Sequence, residues 1–181
     1  MKLGVDLDDV LGEYVPTFLS WFNQKYDKNV YINDINDWDL SKPLGVTKKE
    51  TSRLIKEFAK SKEFDVIPPV LNARAVLETL GYKNHLITAR HPIMLYKTKS
   101  WVDEYFGDLF DTVITGVKNK SVYCRDNGID VMIDDNFAAI EGCVRNGTKG
   151  IIMNKPWNWQ YTTPENCDRA NNWANIYQIL K

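Results

Sequence analysis

Apolar positions alternate with small or acidic ones from Leu3 through Val5 to Leu7, a two-residue period that predicts a buried first strand. A three- and four-residue period then takes over. Val15, Phe18, Leu19, Phe22 and Tyr26 form one stripe of a helix over about 12–26, which Pro16 permits only from the first turn. Residues 27–46 lose periodicity amid Asn, Asp, Trp38 and Pro43, and read as an irregular excursion over the surface. Thr47 and Glu50 have the spacing of a capping box, so a helix carrying Leu54, Ile55 and Phe58 should follow. Phe64 to Pro69 is expected to be extended, because two consecutive prolines disfavour helix there.

From Asn72 the alternation becomes regular. Strands are predicted at His85–Thr88, Thr112–Thr115, Asp130–Asp134 and Gly150–Met153. Helices are expected from the caps Asn72 and Asn136, from Pro92, near Lys120 and along the Trp173, Ile176, Leu180 stripe. Five short apolar strands separated by helices predict an α/β, Rossmann-like fold around a five-stranded parallel sheet. Residues 1–11 and 70–181 would form this core. The mainly helical segment 12–69 would be a small cap inserted after strand one.

Composition narrows the function classes. A chain of 181 residues suits one domain with a small insertion, and 44% hydrophobic content supports a sizeable core. The net charge of −1, without a long basic run, disfavours a duplex nucleic-acid binder but leaves room for a small anionic substrate. Cys124, Cys143 and Cys167 lack a C-x-x-C pair, so neither a zinc site nor a disulfide framework is expected, and a reducing cytoplasm fits. No charged-then-apolar leader opens the chain, and no apolar run approaches the ~20 residues of a membrane span.

The candidate chemistry sits where the first strand should end. Asp6, Asp8 and Asp9 put three carboxylates within four residues. Confined together they repel one another and invite a cation, and Mg²⁺ takes such oxygen ligands. Three further signals fall at or beside later strand ends: Thr88, a lysine in Lys118-Asn119-Lys120, and Asp134-Asp135.

In order and position, these four signals resemble the haloacid dehalogenase (HAD) superfamily, whose members are mostly Mg²⁺-dependent phosphatases. The compact insertion, the segment Leu86-Ile87-Thr88-Ala89-Arg90, the Ile133-Asp134-Asp135 ending and Pro156-Trp157-Asn158 are similar to the 5′(3′)-deoxyribonucleotidases and cytosolic type C 5′-nucleotidases within it. The resemblance implies strand order 5-4-1-2-3, which gathers Asp6, Thr88 and Asp134 at one crevice. It implies a phosphate monoester, favourably a (deoxy)nucleoside monophosphate, as substrate. Asp6 would be the nucleophile and Asp8 the general acid and base. Mg²⁺ would be held by Asp6, the Asp8 carbonyl and Asp134. Thr88 and Lys120 would bind phosphate, with Lys118 an open alternative to Lys120, and Asp135 would orient the lysine or a metal-bound water.

Glycine is frequent in the superfamily at the position of Asp9, and an aspartate serves there if the backbone is not left-handed. Among the cap aromatics Trp21, Trp38, Phe58 and Phe64, Trp38 is the candidate for the substrate pocket because it lies in the polar stretch. Trp157, Trp159 and Tyr161 read as an anchor for the C-terminal segment; Arg90 and His91 follow Thr88 within reach of a substrate, and His91, beside a helix-opening proline, is left out of the site. Simple helix capping by the acids, a phosphatase of another metabolite or of nucleic-acid 3′ ends, and a silent phosphate-binding module are the competing readings.

Overall fold

A computed structural model describes residues 1–181. The strands are β1 (Lys2–Val5), β2 (Lys83–Ile87), β3 (Thr112–Ile114), β4 (Val131–Asp134), β5 (Lys149–Met153) and β6 (Cys167–Ala170). The helices are α1 (Tyr14–Tyr26), α2 (Ser41–Leu44), α3 (Lys48–Phe58), α4 (Lys62–Asp65), α5 (Ala73–Leu80), α6 (Leu95–Phe106), α7 (Lys120–Asn127), α8 (Phe137–Arg145) and α9 (Trp173–Leu180). The sheet runs β3-β2-β1-β4-β5-β6 with every pair parallel. It therefore has six strands where the apolar pattern predicts five. The order of those five stands, and the addition is β6 at the edge beyond β5. Its sequence, Cys-Asp-Arg-Ala, has one buried side chain, so only its hydrogen bonds to β5 mark it as a strand.

Alternation along the strands explains the layers. Leu3, Val5, Leu86, Ile133, Ile151 and Met153 face one core with Leu77, Trp101, Phe106 and Trp173. Ile87, Met132 and Ile152 point the other way, onto Cys124, Ile140 and Cys143. Apolar strands covered on both faces are the expected signature of a parallel sheet. A third cluster, built by Phe18, Phe22, Leu54, Phe58 and Ile67, lies within the segment after β1, and Trp157 joins it from the other end of the chain. Phe18 and Phe58 meet edge-on at 5.4 Å between ring centres, a contact worth ~0.5–1.5 kcal/mol beyond burial. The chain enters and leaves this segment side by side: Glu13 N–H donates to Pro68 O (2.9 Å) and Val70 N–H to Leu11 O (2.7 Å).

Local chemistry accounts for most element ends. Thr47 and Glu50 form the expected reciprocal cap on α3. Pro16 occupies the first turn of α1. Two expectations fail. Phe64 and Asp65 are helical, since Ser61 caps α4 and proline restricts only its immediate predecessor, Ile67. Asn72 precedes α5 without a side-chain cap and instead takes a left-handed conformation, φ 65°.

Gly150 shows how closely α8 seats on the sheet. A Cβ there would lie 2.6 Å from Ile140 Cγ2, 3.0 Å from Cys167 Sγ and 3.1 Å from Val144 Cγ2. We predict that Gly150→Ala destabilises the fold by about 1–3 kcal/mol through overpacking, read as a lower urea midpoint at unchanged m-value.

Candidate active site

Strand β1 ends at Val5, and Asp6 continues its pairing by donating its N–H to Ile133 O (2.9 Å). The chain then folds into a tight turn in which Leu11 and Gly12 N–H both reach Leu7 O. Asp9 sits at φ 60°, the left-handed region, contrary to the condition set for an aspartate at this point. Asp tolerates that region better than most side chains, and here its carboxylate has a local task. It accepts from Val15 N–H (3.0 and 3.3 Å), supplying the cap that Glu13 does not provide for α1. Burial, only partly offset by Lys155 and the Val15 N–H, pushes Asp9 up to about 8. The turn is closed from behind by α9, whose Trp173 indole donates to Val10 O (2.9 Å).

At the switch point between β1 and β4, Asp6, Asp134 and Asp135 are all buried and offer oxygens within 4.8 Å of one another. Lys120 reaches into this cluster from the first residue of α7, with Nζ 2.6 Å from Asp6 Oδ1 and 2.7 Å from Asp134 Oδ2. Burial disfavours its ammonium, but Asp134 and then Asp6 outweigh that and hold it above the usual lysine range. Lys118, by contrast, is exposed. One lysine does not neutralise three carboxylates. Burial, opposed by Lys120 and aided by Asp134, raises Asp6 to about 7. Burial and then Asp134 push Asp135 up as well. Asp134 is further fixed by Asn136 N–H (2.9 Å). Asp135 does not touch the lysine. Its Oδ2 accepts from the Trp157 indole (2.8 Å), while its Oδ1 is buried without any partner.

Asp8, half-buried, points instead toward a cavity of about 1450 Å³ lined in part by Tyr14, Trp38, Phe64, Arg90 and Trp157. Arg90 grips it bidentately: Nε lies 3.1 and 3.0 Å from its two oxygens, and Nη2 donates to Oδ1. The guanidinium also lies 4.8 Å from the centre of the Phe64 ring. Arg90 thus lies on the cavity beside Asp8. The signal was its place two residues beyond Thr88, where β2 ends; Thr88, buried, accepts Arg90 N–H at its hydroxyl (3.2 Å). His91 is spent locally, its Nδ1 accepting from Ile93 N–H. Trp38 is 56% exposed on the cavity wall, with its ring edge-on to Trp157 at 6.2 Å. Trp21 and Phe58 are buried in the cluster of the inserted segment. Of the proposed C-terminal anchor, Trp157 is buried, Trp159 is exposed, and Tyr161 stacks on Phe137.

A model of the family described as "5′ nucleotidase, deoxy (Pyrimidine), cytosolic type C protein" matches residues 1–181. The chain belongs to this family. This nucleotidase is 28% identical over 181 residues to a provisionally named nucleotidase of Halalkalibacterium halodurans, covering 96% of this chain and 89% of the relative. It is 25% identical to the provisionally named nucleotidase YqfW of Bacillus subtilis, with 99% and 93% covered. In fold it matches the haloacid dehalogenase-like hydrolase SP0104 of Streptococcus pneumoniae, with a TM-score of 0.70, 12% identity, and 99% and 98% of the chains covered. The HAD hydrolase YfnB of B. subtilis, solved bound to magnesium, aligns with a TM-score of 0.64 at 14% identity, with 99% and 98% covered. The nucleotidase is thus a phosphatase of the HAD superfamily.

Two outcomes follow from the charge geometry of the nucleotidase. Lys120→Met leaves the buried carboxylates without their cation, and thermal denaturation in EDTA should report a loss on the order of 3–5 kcal/mol. Arg90→Lys removes the planar fork that matches the Asp8 carboxylate. Its phosphatase kcat should fall at least tenfold while the melting temperature moves little.

Proposed function

We propose that the chain hydrolyses phosphate monoesters through an aspartyl phosphate on Asp6, with Mg²⁺ as cofactor and a (deoxy)nucleoside monophosphate as substrate. The observation carrying this reading is the buried cluster of Asp6, Asp134 and Asp135, with Lys120 bridging the first two, two residues along the chain from a differently paired acid, Asp8, that lines a cavity.

The residues fit a hard divalent cation. Three carboxylates converge, no cysteine or histidine is among them, and one buried oxygen, Asp135 Oδ1, has no partner. Asp6, Asp134 and the Asp8 main-chain carbonyl would hold Mg²⁺, with Asp135 beside them. When bound, the cation supplies positive charge to the phosphoryl oxygens.

The side chains divide the remaining work. An Asp6 oxygen attacks phosphorus as the ester P–O bond breaks, and Asp8 gives its proton to the leaving alkoxide. Asp8 then takes a proton from the water that attacks the phosphorus, and Asp6 departs as a free carboxylate. Lys120 is already desolvated beside Asp6, so its charge serves the developing phosphoryl charge without reorganisation. Thr88 lends its hydroxyl to a phosphate oxygen. Arg90 keeps Asp8 aimed across the cavity mouth and leaves part of its acceptor capacity free.

Residues 12–69 act as a small helical cap on a core of 1–11 and 70–181. The aromatic wall at Trp38 and Trp157 suits a flat base, and the width of the cavity suits a substrate larger than inorganic phosphate.

Two measurements test the reading. Asp6→Asn should abolish turnover of an aryl phosphate, and Asp8→Asn should lower kcat by ~10²–10⁴; near-normal rates in either would defeat the mechanism. Across a panel of phosphate esters, nucleoside monophosphates should have the highest kcat/KM, and EDTA should remove the activity until Mg²⁺ is restored. Preference for sugar phosphates or for 3′-phosphorylated oligonucleotides would reassign the substrate while keeping the chemistry.

A further inference from the structure

The turn Pro156–Asn158, which follows β5, is fastened more firmly than a connecting loop requires. The Asn158 amide donates to Asp135 O and to Met153 O, both at 2.8 Å. Asn158 Oδ1 accepts from Lys155 N–H and from Arg169 Nη1, each at 3.2 Å. Arg169, the third residue of β6, also donates to Asn154 Oδ1, Asn158 O, Tyr161 O and Thr163 Oγ1. This web holds Trp157 so that its indole N–H meets one oxygen of Asp135 (2.8 Å), and both residues are buried.

A core tryptophan needs a partner for its N–H, and a backbone carbonyl would serve. Here the partner is a carboxylate of the acidic cluster whose other oxygen is buried and unpaired. A carboxylate hydrogen-bonded at one oxygen by a fixed donor cannot swing freely, so the second oxygen has a set direction. Polar partners of this kind behind a ligating carboxylate tune metal affinity.

We propose that Trp157 is a positioning residue. Its indole N–H fixes the Asp135 carboxylate so that Oδ1 is presented to the cation shared by Asp6 and Asp134. The proposal rests on the Mg²⁺ reading above. It also gives β6 a task, since Arg169 holds the turn that holds the tryptophan.

The test is calorimetric titration of the purified full chain with Mg²⁺ alone, comparing wild type, Trp157→Phe, Asp135→Asn and the double variant. Phenylalanine retains the aromatic packing and lacks the N–H. Trp157→Phe should weaken Mg²⁺ binding about 10–100-fold. In the Asp135→Asn background the same change should cost nothing more, because residues acting through one group are not additive. A Trp157→Phe protein that melts lower in EDTA yet binds Mg²⁺ like wild type would reduce Trp157 to a packing residue and overturn the proposal. Additive losses in the double variant would overturn it too. A wild-type protein that neither binds Mg²⁺ nor loses activity in EDTA would defeat the cation reading, and this proposal with it. Should Trp157→Phe not fold, the wild-type chain labelled at its indole nitrogens answers the question. The indole N–H resonance that Asp135→Asn displaces should move on Mg²⁺ addition, and stationary indole resonances would overturn the assignment.

Discussion

Three carboxylates and one ammonium share a desolvated corner of this protein, and much of the architecture serves to hold them there. Removing such groups from water costs several kcal/mol each, and Lys120 returns only part of that through its contacts with Asp6 and Asp134. Lys120 also opens α7, the end of a helix that disfavours positive charge. The two acids offset both penalties. They are positioned by backbone rather than by choice of rotamer alone, because β1 and β4 are hydrogen-bonded neighbours and the pairing runs on to Asp6. A sheet whose strands are apolar on both faces supplies the rigid frame that keeps like charges close.

Around this corner the turn after β1 separates its acids into different electrostatic settings. Asp6 is pressed against a lysine in the interior, Asp8 is clamped by Arg90 at the cavity, and Asp9 caps a helix. Residues two apart on a strand share a face, but that relation ends once the chain turns. It ends at the bend at Leu7, between Asp6 and Asp8. The nucleophile and the proton carrier of the proposed mechanism would need such unlike surroundings.

Much of this was legible in the sequence because strand ends announce themselves. Asp6, Thr88 and Asp134 each terminate an apolar run, and Lys120 opens a helical stripe at a capped end. The failures have a common cause in long-range partners. Arg90 follows no periodicity and acquires its role from Asp8, 82 positions away. Asp135 looks like a neighbour of the lysine on paper, yet its partner is Trp157. β6 is too polar and short to stand out until β5 pairs with it. Local rules misled at Phe64 and Asp65, where a serine cap prevailed over the expectation drawn from the prolines.

The indole of Trp173 bonding to Val10 O joins two points 163 residues apart. The turn bearing the acids is therefore made among the first residues translated but receives its back support only from α9. During synthesis the acids emerge long before this brace exists. A truncated chain lacking α9 would carry every acid of the cluster and still lack this support behind the turn that follows Asp6.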